Sequence, residues 1–102
     1  MSDFKGKKNI IISFNNEKLM PYLYGELDKN LHRIESILNV NLNSRGSNIE
    51  ISGEEVNLAK DVLNDLYTQI KKGFEIGYEE VDASIRMNGD KINNSLKDGE
   101  KD

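Results

Sequence analysis

The stretch that decides the fold is residues 23–66, which read LYGELDKNLHRIESILNVNLNSRGSNIEISGEEVNLAKDVLNDL. Gly25 is the residue type that ends a helix, and Asp28 is one that favours the N-cap of the next helix. Apolar residues then recur at helical spacing: Leu31, Ile34, Ile37 and Leu38. The sequence therefore predicts two helices that meet at a corner formed by residues 25–28.

A hairpin follows this second helix. Asn39 suits a left-handed C-cap, and apolar and polar residues alternate from there to Ser44. Arg45-Gly46-Ser47 is a turn, with a positive φ at Gly46, and the returning strand alternates around Glu50. Two short antiparallel strands are therefore predicted.

Helices and a further strand extend the pattern in both directions. Ser52 and Glu55 have the spacing of a capping box for a long helix that ends at Gly73. Residues 9–14 alternate as a strand, and a short helix capped by Asn16 follows, with Leu19, Tyr22 and Leu23 as its buried side.

The resulting order is β-α-α-β-β-α, which indicates an α+β fold. A three-stranded antiparallel sheet would pack on the helices, and a short C-terminal helix would open at Glu79-Glu80. We expect a basic N-terminal tail at residues 1–8 and one domain at residues 9–87. Residues 88–102 have little to bury and are predicted to be a disordered tail or linker.

The composition excludes most catalytic chemistry. The chain of 102 residues has no cysteine and a single histidine, His32, so no thiolate, metal cluster or Ser-His-Asp arrangement is expected. No apolar run is long enough to span a membrane. The formal net charge of −4 argues against strong non-specific binding to nucleic acid. The chain is therefore predicted not to be an enzyme.

The order of elements resembles the type I KH fold. A KH loop of the Gly-x-x-Gly type lets backbone N–H groups approach phosphate closely. Here Asp28 stands at the second glycine position, and Glu26 adds another negative charge. Asp28 is therefore predicted to cap the helix and to fill the anion site from within.

Longer phrases resemble the N-terminal domain of PhoH-like proteins. They are Leu23-Tyr24-Gly25-Glu26-Leu27-Asp28-Lys29-Asn30-Leu31, Ile34-Glu35, Ser44-Arg45-Gly46-Ser47, Ile51-Ser52-Gly53, Ile70-Lys71-Lys72-Gly73-Phe74, Glu79-Glu80-Val81 and Ile85-Arg86-Met87. The resemblance implies a cytoplasmic, predicted ATPase linked to RNA metabolism. It places ATP and Mg²⁺ in a P-loop domain that would follow, because this chain has no Gly-x-x-x-x-Gly-Lys-Ser/Thr motif.

Polar residues near the corner are the candidates for contacting nucleic acid. We expect these residues to line a groove between helix and sheet. The alternative for each of them is a solvent-exposed polar side chain without a binding role. The candidates are Gly25, Lys29, Asn30, Arg33, Asn41, Asn43 and Arg45. Tyr24 is a candidate for base stacking, with packing in the core as its alternative.

Two functions remain open at this point. One is weak, salt-sensitive binding of single-stranded RNA on behalf of the ATPase domain. The other is a protein-interaction or regulatory domain that docks on the ATPase domain or on another partner, with nucleic-acid binding lost. The acidic corner and the net negative charge favour the second function.

Overall fold

The computed structural model describes the backbone of residues 8–101 and the side chains of residues 9–90. The elements are β1 (Lys8–Ser13), α1 (Met20–Tyr24), α2 (Lys29–Leu38), β2 (Val40–Arg45), β3 (Asn48–Gly53), α3 (Val56–Lys71) and α4 (Tyr78–Lys101). Single 3₁₀ turns at Glu17–Leu19 and Glu26–Asp28 precede α1 and α2. The predicted α+β class and the order β-α-α-β-β-α are confirmed.

The three strands form one antiparallel sheet in the order β1-β3-β2. Ile51 at its centre pairs with Ile10 on one side and with Leu42 on the other. These residues share the face that packs on the helices. The opposite face is exposed and carries Asn41 and Asn43 together with the apolar Ile11, because successive strand residues point to opposite sides.

The core lies between this sheet and the helices. α3 contributes a fully buried stripe that includes Val62, Leu63 and Leu66, as its helical spacing predicts. Ile34 of α2 and Leu23 of α1 are also fully buried. Each such side chain contributes about 1.5–3 kcal/mol from burial, so the apolar stripes account for the arrangement of the layers.

The start of α3 differs from the prediction. Ser52 belongs to β3, where it pairs with Asn9 and Asn41, and α3 begins only at Val56. Glu55 is the N-cap residue, and its side chain makes no capping hydrogen bond. The capping box is therefore wrong: pairing in the sheet extends the strand through the position that local sequence assigns to the cap.

The C-terminal helix is longer than predicted. α4 continues to Lys101, whereas a short helix and a disordered segment from Asn88 were expected. The side chain of Asn88 donates to the carbonyl oxygen of Ser84 at 2.8 Å, which joins it to the preceding turn. No proline follows to end the helix. The role of residues 88–102 as a linker stays a prediction, and the basic segment 1–8 lies outside the described residues except for Lys8.

A candidate nucleic-acid interface at the α1–α2 corner

The corner between α1 and α2 has a left-handed backbone. Gly25 ends α1 at φ 82° and ψ 168°, as predicted. Leu27 and Asp28 follow at φ 55° and φ 58°, without being glycine. Left-handed backbone costs about 1–2 kcal/mol per non-glycine residue. Since such strain persists only where the surroundings impose it, and clusters at ligand-binding sites, the corner is a candidate site.

Asp28 does not cap α2. A capping side chain needs an extended backbone, whereas Asp28 is left-handed and makes no side-chain hydrogen bond to the helix. The prediction that its carboxylate fills the anion site is therefore wrong. The N-terminus of α2 therefore has no side-chain cap from its N-cap residue, although the backbone N–H of Lys29 donates to the carbonyl oxygen of Glu26 in the preceding 3₁₀ turn. The dipole at a helix N-terminus attracts anions.

Replacing Asp28 by Gly is expected to preserve stability or to raise it by up to about 1 kcal/mol, because glycine adopts a left-handed backbone without strain. Urea denaturation measures the change. Leu27→Gly is the matched control, since it relieves the same strain without removing a charge. A loss of about 1 kcal/mol in Asp28→Gly alone would show that its carboxylate caps the helix after all.

Asn30 is fully buried and braces the corner from below. Its side-chain amide donates to the carbonyl oxygens of Leu23, at 3.2 Å, and of Ile76, at 3.4 Å. Its Oδ1 atom has no hydrogen-bond partner among the described residues. Asn30 therefore joins α1, α2 and the connector before α4, and it does not reach the surface on which the sequence analysis placed it.

Lys29 and Arg33 lie on the side of α2 that faces α4. Their charged groups approach the ring centroid of Tyr78 to 5.6 Å and 5.0 Å. Arg33 also forms a two-pronged ion pair with Asp82, with N–O distances of 2.9 and 2.7 Å. This hydrogen bond holds the pKa of Asp82 below its usual range. Arg33 is thus neutralised within the chain, whereas Lys29 has no ion-pair partner among the described residues.

A carboxylate occupies the space between α2 and the free edge of the sheet. Glu35 accepts a hydrogen bond from the backbone N–H of Leu42 at 2.8 Å, and its other oxygen lies 3.1 Å from His32 Nδ1. Asn41 and Asn43 point to the open face of the sheet instead. The predicted groove, with Lys29, Arg33 and these asparagines along one surface, is therefore not assembled.

The tip of the β2–β3 hairpin is tied to the corner. The hydroxyl of Tyr24 donates to the carbonyl oxygen of Gly46 at 2.8 Å, and Gly46 has the predicted positive φ of 60°. Burial, together with the negative charge of Asp28, raises the pKa of the Tyr24 hydroxyl. This contact brings the exposed Arg45 to the same end of the molecule as Gly25. The hydroxyl of Tyr24 therefore has a structural role, since it links α1 to the β2–β3 turn.

A cavity of about 470 Å³ opens beside the corner, between α1 and the connector after α3. Tyr22 and Phe74 line it and are 65% and 60% exposed, and Lys29 lines it as well. Sequence reasoning missed this cavity because it assigned Tyr22 to the buried side of α1, a position that Met20 takes. The signal that could have found it is Phe74, an aromatic residue that directly follows Gly73, where the sequence predicts the end of the long helix.

Two classes of site are absent from the part of the chain that the structure describes. Its His, Asp and Glu side chains form no cluster that could hold a metal ion. Its helices include none with the length and apolar character needed to cross a membrane.

Comparison with curated proteins gives a PhoH-like protein of Bacillus subtilis (strain 168), 37% identical over 67 residues. This chain is similar to part of a PhoH-like protein. The match covers 64% of the chain and 21% of the relative, so the chain spans about a fifth of that protein's length. No family model and no solved structure matches the chain. The resemblance to PhoH-like proteins is confirmed at this level, and the finer assignment to a KH-like domain stays a prediction.

Proposed function

We propose that this chain is a KH-like accessory module that binds single-stranded RNA for a PhoH-like ATP-binding protein. The observation that carries the proposal is the α1–α2 corner, where a helix N-terminus is left without a side-chain cap beside Lys29. The order of elements, β-α-α-β-β-α, resembles that of type I KH domains and supports the proposal. The similarity to a PhoH-like protein favours the RNA context.

The corner can bind a phosphate in two ways. The backbone N–H groups of Asp28 and Lys29 already donate to the carbonyl oxygens of Gly25 and Glu26, so the start of α2 attracts an anion through the partial positive charge of the helix dipole. Lys29 supplies a full charge that releases a counterion on binding. Glu26 and Asp28 oppose this attraction, so binding by the chain alone is weak and salt-sensitive.

The remaining chemistry belongs to other parts of the parent protein. In this proposal ATP and Mg²⁺ bind to an ATPase domain outside this chain, and the module positions RNA for that domain in the cytoplasm. The chain itself performs no catalytic step.

Lys29→Gln is expected to weaken binding of short single-stranded RNA and to reduce the slope of log K against log[salt] by about 0.7 to 1, the contribution of one phosphate contact. Fluorescence anisotropy across a salt series measures the slope. Lys60→Gln on α3 is the matched control and should leave it unchanged.

Two results would contradict the proposal. The first is no anisotropy change for the wild-type chain at low salt and high protein concentration. The second is an equal loss of slope in the Lys29 and Lys60 variants, because the corner would then contribute no specific phosphate contact.

One observation favours the second function, docking on a protein. Leu27 is 90% exposed at the tip of the corner, in a conformation that leucine rarely adopts. An exposed apolar side chain held in this way suits insertion into a partner domain. Mixing the chain with a separately produced PhoH-like ATPase domain discriminates the two functions: association without RNA supports docking, and association only with RNA supports the accessory role.

A further inference from the structure

We propose that the cavity between α1 and the α3–α4 connector binds one base of a single-stranded nucleic acid, stacked on Tyr22 and Phe74, and that it prefers bases with an exocyclic amino group. This inference rests on the proposed function and deepens it by naming the position and the class of base.

The aromatic rings are the first observation. Tyr22 comes from α1 and Phe74 from the connector, and both line the cavity while remaining more than half exposed. The core does not use them: the described aromatic contact inside the domain pairs Phe14 with Tyr67. Exposed aromatic faces beside a groove are the platforms on which unpaired bases stack.

The size and position of the cavity are the second observation. Its volume of about 470 Å³ falls in the range of about 300–1,000 Å³ that is usual for small-molecule and cofactor sites. Lys29 lines the cavity and begins α2. A base in the cavity therefore has its own phosphate close to Lys29 and to the helix N-terminus, so one nucleotide satisfies both parts of the site.

The carboxylates on the cavity wall decide which base fits. Glu26 and Glu75 line the cavity, and an ionised carboxylate only accepts hydrogen bonds. Adenine, cytosine and guanine offer an exocyclic amino group, whereas uracil presents carbonyl oxygens in its place. The carboxylates repel those oxygens, and uracil has only its N3–H to donate, so bases with an exocyclic amino group are favoured over uracil.

A peptide side chain is the other occupant that an apolar cavity admits. The rings of Tyr22 and Phe74 would serve either ligand. Lys29 lines the cavity, however, and its charge complements a phosphate that follows the base. We therefore assign the cavity to a nucleotide.

Fluorescence anisotropy with short labelled oligonucleotides of A, C and U tests the assignment on the full chain. Tyr22→Ala and Phe74→Ala should each weaken binding about fivefold or more, the usual effect of losing one stacking ring. Tyr22→Leu and Phe74→Leu keep an apolar side chain and should also lose affinity, which separates stacking from packing. Ile11→Ala, on the open face of the sheet and 66% exposed, is the matched control and should bind as the wild type does.

The base preference has its own variant. Glu75→Gln replaces a pure acceptor by an amide that can also donate. It should reduce the difference in affinity between the A or C oligonucleotides and the U oligonucleotide. An unchanged difference in affinity in this variant, or tightest binding of the U oligonucleotide by the wild-type chain, would overturn the proposed base preference.

The failures of the inference and of the proposed function are distinguishable. If the wild-type chain binds no oligonucleotide, the proposed function fails. If it binds, but the Tyr22 and Phe74 variants match Ile11→Ala, the base cavity is wrong and the corner can still hold phosphate. If those variants keep RNA affinity and instead lose association with a PhoH-like ATPase domain, the cavity is a protein-docking site and the inference is overturned.

Discussion

Gly25→Ala is expected to destabilise the chain by about 2–4 kcal/mol, the sum of backbone strain and overpacking at a buried contact. A Cβ at this position would lie 2.8 Å from Asn30 Nδ2 and 3.0 Å from Lys29 Cγ, on a backbone with φ 82°. Asn30 cannot move away without breaking its hydrogen bonds to Leu23 and Ile76. Urea denaturation, read by circular dichroism, measures the loss.

Gly73→Ala is the matched control for this prediction. Gly73 also has a positive φ, of 98°, but a Cβ there would meet no atom within 4 Å. Its loss should be limited to backbone strain, about 1–2 kcal/mol. Equal losses in the two variants would contradict the close packing of Asn30 on Gly25.

The order of the elements could be predicted because each depends on short-range patterns. The alternation around Leu42 and the helical stripe of α3 both follow from which face is buried. Turns could also be predicted where glycine or asparagine occurs between elements, as at Gly25, Gly46 and Asn39. Glycine, and less often asparagine, adopts a positive φ at low energetic cost, so either residue type indicates one.

The corner could not be predicted in the same way. Leucine rarely adopts a left-handed backbone, so the positive φ of Leu27 could not be predicted from the sequence. Asp28 is a residue type that favours the N-cap position, but its backbone is left-handed and its side chain makes no capping hydrogen bond. The local backbone preferences of Leu27 and Asp28 were overridden here by the tertiary contacts that pack α1 and α2 around the buried Asn30. A conflict of this kind between local and tertiary structure is expected at functional or strained positions.

Long-range pairing explains the other differences at the site. Asn30 bonds to a carbonyl 46 residues away, and Arg33 pairs with Asp82 at a separation of 49 residues. Nothing in the neighbourhood of either residue in the sequence indicates its partner. A polar residue in the first turns of a helix is assigned to the surface by default, and that assignment was the reason why the predicted groove included both.

Asn30→Asp is expected to destabilise the chain by about 3 kcal/mol or more at pH 7, because it leaves a buried charge without a partner. The new carboxylate would face the carbonyl oxygens of Leu23 and Ile76, which now accept from the amide. Burial without a donor raises the pKa of that carboxyl in the folded state above its value in the unfolded chain. The folded state then binds more protons, so the stability of the variant falls as the pH rises between the two pKa values.

The deficit relative to the wild type should therefore shrink on acidification to about pH 4, near the unfolded pKa of an aspartate, since a neutral carboxyl can donate one of the two hydrogen bonds. Comparing each variant with the wild type at the same pH removes the titration of the other groups. Asn30→Leu is the control: it leaves both carbonyls without a donor at every pH, so its deficit should not depend on pH. If Asn30→Asp shows a constant deficit between pH 4 and 7, the carboxyl reaches solvent, and the buried amide does not hold the corner as described.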